Sequence, residues 1–199
     1  MNQKQSAKLK ARDFINIGIF MAILLLMEMI VGALGFIHPL IVVSYYVLVP
    51  LVGGIPMMLF YSRIEKFGML TIFSIILAIL LFVFGMGFLG APIVILCGLA
   101  ADLIAKKGGY KSRKLTVLSY GVFSPWVAAN YIPIVVTGEN YARSLQEGGF
   151  SEDYTQLLLK LVNIRSLLPL AIICFVSGIL GALLGRRIMH KHFEKAGIV

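Results

Sequence analysis

Phe14-Ile-Asn-Ile-Gly-Ile-Phe-Met-Ala-Ile-Leu-Leu-Leu-Met-Glu-Met-Ile-Val-Gly-Ala-Leu-Gly-Phe36 is the stretch that decides the fold. It is a long apolar run, and four basic residues stand before it: Lys4, Lys8, Lys10 and Arg12. Such a run reads as a membrane-spanning helix, because about 20 apolar residues cross the hydrocarbon core of a bilayer. Within it, Gly18 and Ala22 are four residues apart and share one helical face. Two small residues on one face let a second membrane helix approach closely. The pair therefore reads as a docking face, against the plainer reading that it packs a neighbour within the same chain.

The rest of the composition agrees with a membrane protein. Of 199 residues, 59% are hydrophobic and 14% charged, whereas a soluble domain is nearer half apolar and a quarter charged. The length leaves room for about six spans of about 20 residues and no separate soluble domain. A net charge of +9 raises nucleic acid as a partner, but the basic residues fall between apolar runs and so report membrane orientation instead. Cys97 and Cys174 lie in apolar helices without partners at motif spacing, which predicts neither a metal site nor a disulfide framework. The N-terminal apolar run is too long for a cleavable signal peptide and lacks a clear cleavage site.

Taken in order, spans are expected at about 13–35, 40–61, 67–84, 92–105, 115–136 and 166–184, in one integral membrane domain over 1–199. Gly35-Phe-Ile-His-Pro39 ends the first span, since the residue before proline disfavours helix. The second holds Pro50, Gly53, Gly54 and Pro56, and is expected to be kinked or broken. Gly85-Met-Gly-Phe-Leu-Gly-Ala-Pro92 forms a Gly-rich turn. The fifth span holds Pro125 and Pro133. An outer loop at 137–165 is the one long polar stretch, with a short helix expected between Asp153 and Asn163. Lys and Arg number 4, 2, 5 and 4 in the N-terminus, the 2–3 link, the 4–5 link and the C-terminus, and 0, 0 and 3 in the other links. Six spans with both termini cytoplasmic satisfy the positive-inside rule at every loop. There is no obvious inverted repeat of the kind that marks many two-half secondary transporters.

The chain resembles the substrate-binding S components of energy-coupling factor (ECF) transporters, and more narrowly their Trep_Strep/Mpt-type branch. The resemblance covers almost the whole chain. It rests on Lys10-Ala-Arg-Asp-Phe-Ile-Asn-Ile-Gly-Ile-Phe-Met-Ala22, Gly53-Gly-Ile-Pro-Met-Met-Leu-Phe60 and Lys66-Phe-Gly-Met69. It continues in Gly98-Leu-Ala-Ala-Asp-Leu-Ile104, Tyr120-Gly-Val-Phe-Ser-Pro-Trp126 and Gly181-Ala-Leu-Leu-Gly-Arg-Arg-Ile-Met-His-Lys-His-Phe-Glu-Lys-Ala-Gly197. What it implies is an all-α, six-helix bundle in a bacterial cell membrane that binds a micronutrient on the outer side. It also implies docking on a coupling transmembrane subunit with two ATP-binding cassette ATPases. In such transporters an AxxxA-like motif of the first helix contacts the coupling subunit; here it is Gly18 and Ala22, with glycine at the first position. The chain has no Gly-x-x-x-x-Gly-Lys-Ser/Thr phosphate loop, so ATP would be used by the partner subunits and this chain would need no cofactor of its own.

Candidate site residues each carry two readings. Glu28 sits mid-span, where a charge is costly and usually faces a cavity or partner; it is a ligand contact or gate, or an interhelical hydrogen bond. His38, Tyr45 and Tyr46 lie at the outer ends of the first two spans. They offer stacking and hydrogen bonding to a flat ligand, His38 also a haem-type ligand, or they belong to an interfacial aromatic belt. Trp126, Asn130 and Tyr131 fall between Pro125 and Pro133, where a distorted helix exposes carbonyl groups; the alternative is a belt tryptophan and an interhelical amide. Asn163 and Arg165 precede the sixth span. Arg165 suits a carboxylate or phosphate, or the loop acids Glu152 and Asp153. Asp102 reads best as an ion pair with Lys106, four residues on. Gly178, Gly181, Ala182 and Gly185 form a small-residue face for internal packing. His190 and His192 sit in a basic tail suited to solvent or lipid headgroups rather than metal.

The reading is a nutrient-binding subunit of an ATP-driven importer, not an enzyme, with a cavity capped by the three outer links. Alternatives are a haem- or tetrapyrrole-binding S component, a self-sufficient facilitator, and a purely structural subunit. No His-Glu-x-x-His or paired-aspartate pattern supports an intramembrane enzyme.

Overall fold

The computed structural model describes residues 9–64, 66–84 and 88–190. Lys4, Lys8, His192 and the Gly85-Met-Gly87 part of the expected turn lie outside the described residues. Those described are all helical, without a strand. Three helices of 25 residues are long and apolar enough to cross a membrane: α1 (Ala11–Gly35), α2 (Pro39–Arg63) and α10 (Ile164–Ile188). Each is about 37 Å long at 1.5 Å per residue. A shorter apolar helix, α3 (Met69–Val83), follows α2, and after it comes α4 (Ala91–Lys107).

Two expectations about helix continuity are corrected. The second span runs unbroken through Pro50 and Pro56. Neighbours stabilise the region: Tyr120 Oη donates to the Pro50 carbonyl at 2.9 Å, and other helices pack on it closely. The expected fifth span is instead three pieces: α5 (Arg113–Phe123), α6 (Trp126–Ala129) and α7 (Ile132–Thr137). Pro125 and Pro133 each lack an N–H and restrict the residue before them, and here both interruptions survive. The outer loop is also more ordered than expected. It folds as two helices, α8 (Glu139–Glu147) and α9 (Glu152–Leu161), where one was anticipated. Ser151 caps α9 by accepting from Tyr154 N–H, and Gln146 donates to Thr155 Oγ1 at 3.0 Å to tie the two together.

The central seam joins α2 to α10, the most extensive contact between helices. It is made of backbone. A Cβ at Gly54 would lie 2.1 Å from the Gly181 carbonyl carbon, and one at Gly185 would lie 2.4 Å from the Gly54 carbonyl oxygen. Gly181 meets the Pro50 carbonyl at 2.4 Å in the same sense. Gly178 abuts Ser124, and Ala182 is fully buried. The small-residue face of the sixth span is thus an internal packing surface, as its spacing suggests.

At the opposite end from the outer loop, Asp102 corrects another expectation. It makes no ion pair with Lys106. It is fully buried and caps α3: Oδ2 accepts from Gly68 N–H (2.8 Å), Thr71 N–H (3.1 Å) and Thr71 Oγ1 (3.0 Å), while Oδ1 accepts from Tyr110 Oη (2.9 Å). Lys106 instead lies over the Phe67 ring, 4.7 Å from its centroid. Tyr110 adopts a left-handed φ of 59°, a conformation that costs a side-chain-bearing residue of order 1 kcal/mol or more. Its bond to Asp102 offsets that strain. Burial, and then donation to Asp102, hold the Tyr110 hydroxyl above the ordinary tyrosine range. Nearby, Ser119 Oγ donates to the Ala101 carbonyl at 2.6 Å, so Tyr61 must donate to Ser119 in their 2.6 Å contact. Lys66 and Asp13 form a salt bridge at 2.9 Å that fastens the 2–3 link to the start of α1.

Candidate functional site: an acid-floored cavity under a helical lid

The buried residues of α1 are Ile17, Met21, Leu24, Glu28 and Gly35. Their spacings of three, four and seven define one stripe of a 3.6-residue helix, and Glu28 continues that stripe into the interior. The same periodicity turns Gly18 and Ala22 outward. Both are exposed, a Cβ at Gly18 would meet nothing within 4 Å, and Ile15, Ile19, Ile23 and Leu26 around them are exposed as well. Among the described residues, nothing packs over the small pair.

Glu28 borders a cavity of about 520 Å³, within the size range of sites for small organic ligands. Its walls are Leu25, Met29, Gly32 and Ala33 of α1, Val42 and Tyr45 of α2, Leu81 of α3, and Pro133 and Ile134 of α7, with Asn130 and Tyr131 between α6 and α7. Most of this surface is apolar. The polar groups converge on one point. Tyr45 Oη donates to Glu28 Oε1 at 2.5 Å, and Asn130 Nδ2 donates to the same oxygen at 3.1 Å. Glu28 is 4% exposed. The break after α6 is what brings Asn130 here, since it caps that four-residue helix.

The tyrosines form a cluster. Tyr131 stands 5.7 Å from Tyr45 and 5.0 Å from Tyr46 between ring centroids, distances at which tilted aromatic pairs attract. Tyr45 and Tyr46 are buried at 4% and 0%, and Trp126 is buried against Phe123. The interfacial-belt reading of these three residues is therefore corrected: they sit in the core, away from a lipid interface. Tyr46 and Trp126 are outside the cavity lining. The Tyr46 hydroxyl is buried without a hydrogen-bond partner among the described residues.

The other candidates sit elsewhere. His38 is the exposed N-cap of α2, its Nδ1 accepting from Leu40 N–H at 3.2 Å. Asn163 caps α10 with a reciprocal Ser166 bond, and Arg165 is exposed. Among the described residues Arg165 pairs with neither Glu152 nor Asp153. None of the three lines the cavity.

The sequence led us to expect a cap made by the outer links but did not single out the residues that form it. Tyr141, Leu145, Phe150, Tyr154 and Leu158, from α8, α9 and their connection, line the cavity on the 137–165 side together with Phe36. Tyr154 Oη donates to the Gly35 carbonyl at 2.9 Å, latching α9 onto the end of α1. Phe150 stacks between Phe36 at 5.8 Å and Tyr154 at 4.8 Å. The signal was present as an aromatic or leucine every few residues in an otherwise polar loop, Tyr141, Leu145, Phe150, Tyr154 and Leu158. Leu81 and the adjoining Phe84 complete the rim. Phe36 of the 1–2 link and the helices of the 5–6 link border the cavity, whereas no described residue of the 3–4 link does.

Residues 11–195 match a family model described as hypothetical bacterial integral membrane protein (Trep_Strep). No curated protein and no solved structure matches the chain.

Proposed function

The chain belongs to the Trep_Strep family of hypothetical bacterial integral membrane proteins, and from that premise we propose that it is the substrate-specific membrane subunit of an ATP-driven ECF-type importer. In this reading the membrane-embedded chain crosses the bilayer six times, α5 to α7 together making the fifth crossing. Both termini are cytoplasmic, and a small vitamin-like molecule or cofactor precursor enters from the outer side. The chain is a binding and delivery subunit, not an enzyme, and ATP is hydrolysed by two partner ATPases. Gly18 and Ala22 are the contact with a coupling membrane subunit.

The observation that carries the reading is the cavity beside Glu28, which α8 and α9 cover in part. A pocket of about 520 Å³, floored by a hydrogen-bonded acid and partly roofed by α9, which Tyr154 ties to the end of α1, suits capture of one small solute. A continuous pore is the alternative that this geometry favours less. The outward-facing small pair on α1 supports docking, because no described segment covers it. The tetrapyrrole variant, motivated by His38, the tyrosines and the methionines, loses His38, which is a helix cap outside the cavity, and keeps Tyr45, Tyr131 and Met29 in the wall.

Co-purification tests the proposal. The tagged chain is expressed with its native neighbours, extracted gently, and its bound proteins and small molecules are identified by mass spectrometry. Recovery of a coupling subunit with two ATPases is expected, and Gly18→Leu or Ala22→Leu is expected to abolish it. A chain that purifies alone, and transports solute into vesicles without ATP, would refute the proposal in favour of a facilitator.

A further inference from the structure

We propose that the cavity takes an amphipathic cation: a ligand with an apolar body that presents a protonated nitrogen to Glu28. The inference deepens the uptake reading, on which it rests, by naming a substrate class for the same cavity. Glu28 Oε1 is already occupied by Tyr45 and Asn130, and no described residue donates to Oε2. Among the described residues, no lysine, arginine or histidine lines the cavity. The protein thus supplies neutral donors to one oxygen and leaves the other oxygen, and the charge, without a partner.

A buried carboxylate is costly unless it is paired and hydrogen-bonded. Two donors offset part of that cost; a cation completes it. An ammonium or protonated ring nitrogen offers donors to Oε2 and the counter-charge in one group, and charge-assisted bonds of this kind are about twice as strong as neutral ones. The remaining wall, including Leu25, Met29, Val42, Leu81 and Ile134, accommodates an apolar body. An anionic ligand meets the opposite situation: it finds no cation in the wall and faces a carboxylate of like sign.

The test uses three probes that share one ring and differ in charge: tryptamine, tryptophol and indole-3-acetate. Binding is measured by calorimetry on the full chain in lipid nanodiscs. Tryptamine is expected to bind about 10-fold or more tightly than tryptophol, the ratio that one charge-assisted bond supplies, and indole-3-acetate is expected to bind least. Glu28→Gln is expected to bring tryptamine and tryptophol to within about 2-fold of each other. Equal binding of amine and alcohol, no binding by any of the three, or an undiminished preference in Glu28→Gln would overturn the proposal. The probe ratio on the unsubstituted chain needs no variant, so the inference stays testable if Glu28→Gln does not fold. Gly32→Leu adds a side chain at a cavity-lining position; tryptamine selectivity that survives it unchanged also overturns the proposal. Assembly is read separately. Co-purification with ATPases alongside equal probe binding removes this inference alone, and tryptamine selectivity in a chain that never joins an ATPase removes the uptake reading alone.

Discussion

Replacing Asp102 tests how α4 is fastened to the start of α3. The fully buried carboxylate accepts four hydrogen bonds, two from backbone N–H groups at the start of α3 and two from the hydroxyls of Thr71 and Tyr110. Removing a helix cap costs about 0.5–2 kcal/mol, and leaving a buried hydroxyl without its partner costs about 1–3 kcal/mol. Tyr110 would also keep its left-handed backbone with nothing to offset it. Asp102→Ala is therefore expected to destabilise the chain by about 3–5 kcal/mol, which lowers the melting temperature by roughly 10 °C at this chain length. Asp102→Asn retains an acceptor and a near-identical shape and is expected to lose less than half as much. The assay is built into the chain. Cys97 and Cys174 are free, and Cys174 is fully buried, so a thiol-reactive dye reports unfolding directly. Lys106→Ala is the control, expected to cost at most about 1 kcal/mol because it removes a cation–π contact at the surface. If Lys106→Ala cost as much as Asp102→Ala, and the two losses failed to add, the carboxylate would be paired with Lys106 and the capping argument would be wrong.

Three further outcomes follow from contacts already described. Gly181→Leu forces α10 off α2, because even a Cβ there overlaps the Pro50 and Leu51 carbonyl oxygens at 2.4 and 2.6 Å; size-exclusion chromatography is expected to show loss of the monodisperse species. Gly18→Leu, with open space around it, is expected to leave the melting temperature within a few degrees of the parent, so any loss of partner binding reads as docking and not unfolding. Tyr154→Phe removes only the latch to Gly35, worth about 0.5–1.5 kcal/mol, and is expected to speed hydrogen exchange in α8 and α9 by about 2- to 10-fold without changing exchange in α10.

The membrane character, the approximate positions of α1 to α4 and α10 and the internal role of the α10 glycines were legible from composition and spacing. What escaped was tertiary. Pro50 and Pro56 looked like helix breakers, but neighbours hold α2 continuous around them, whereas Pro125 and Pro133 looked similar and do interrupt. Nothing local separates the two pairs; the difference lies in which helices pack on them. Asp102 and Lys106 stand at ideal ion-pair spacing, yet the acid turns to a helix N-terminus 31 residues earlier in the chain, a competitor that a window of four residues does not contain. Glu28 and Asn130 were both picked out as candidates, but their meeting across 102 residues of sequence depends on the break in the fifth segment. The residues of the cap were missed because short amphipathic helices in a polar loop bury too few residues to announce themselves without the surface they cover.

The glycine seam between α2 and α10 has a consequence for how the chain is made. Its two sides, Gly54 and Gly181, leave the ribosome more than half a chain length apart. Throughout that interval the nascent α2 carries a bare strip of backbone with no partner, and the contact that finally covers it is as non-local as this topology permits. Non-local contacts form late and slowly. Until α10 enters the bilayer, the earlier helices are an incomplete body that lipid or an insertion chaperone must shield. Premature termination upstream of α10 would then leave an open intermediate for quality-control proteases to recognise, not a shortened version of the protein.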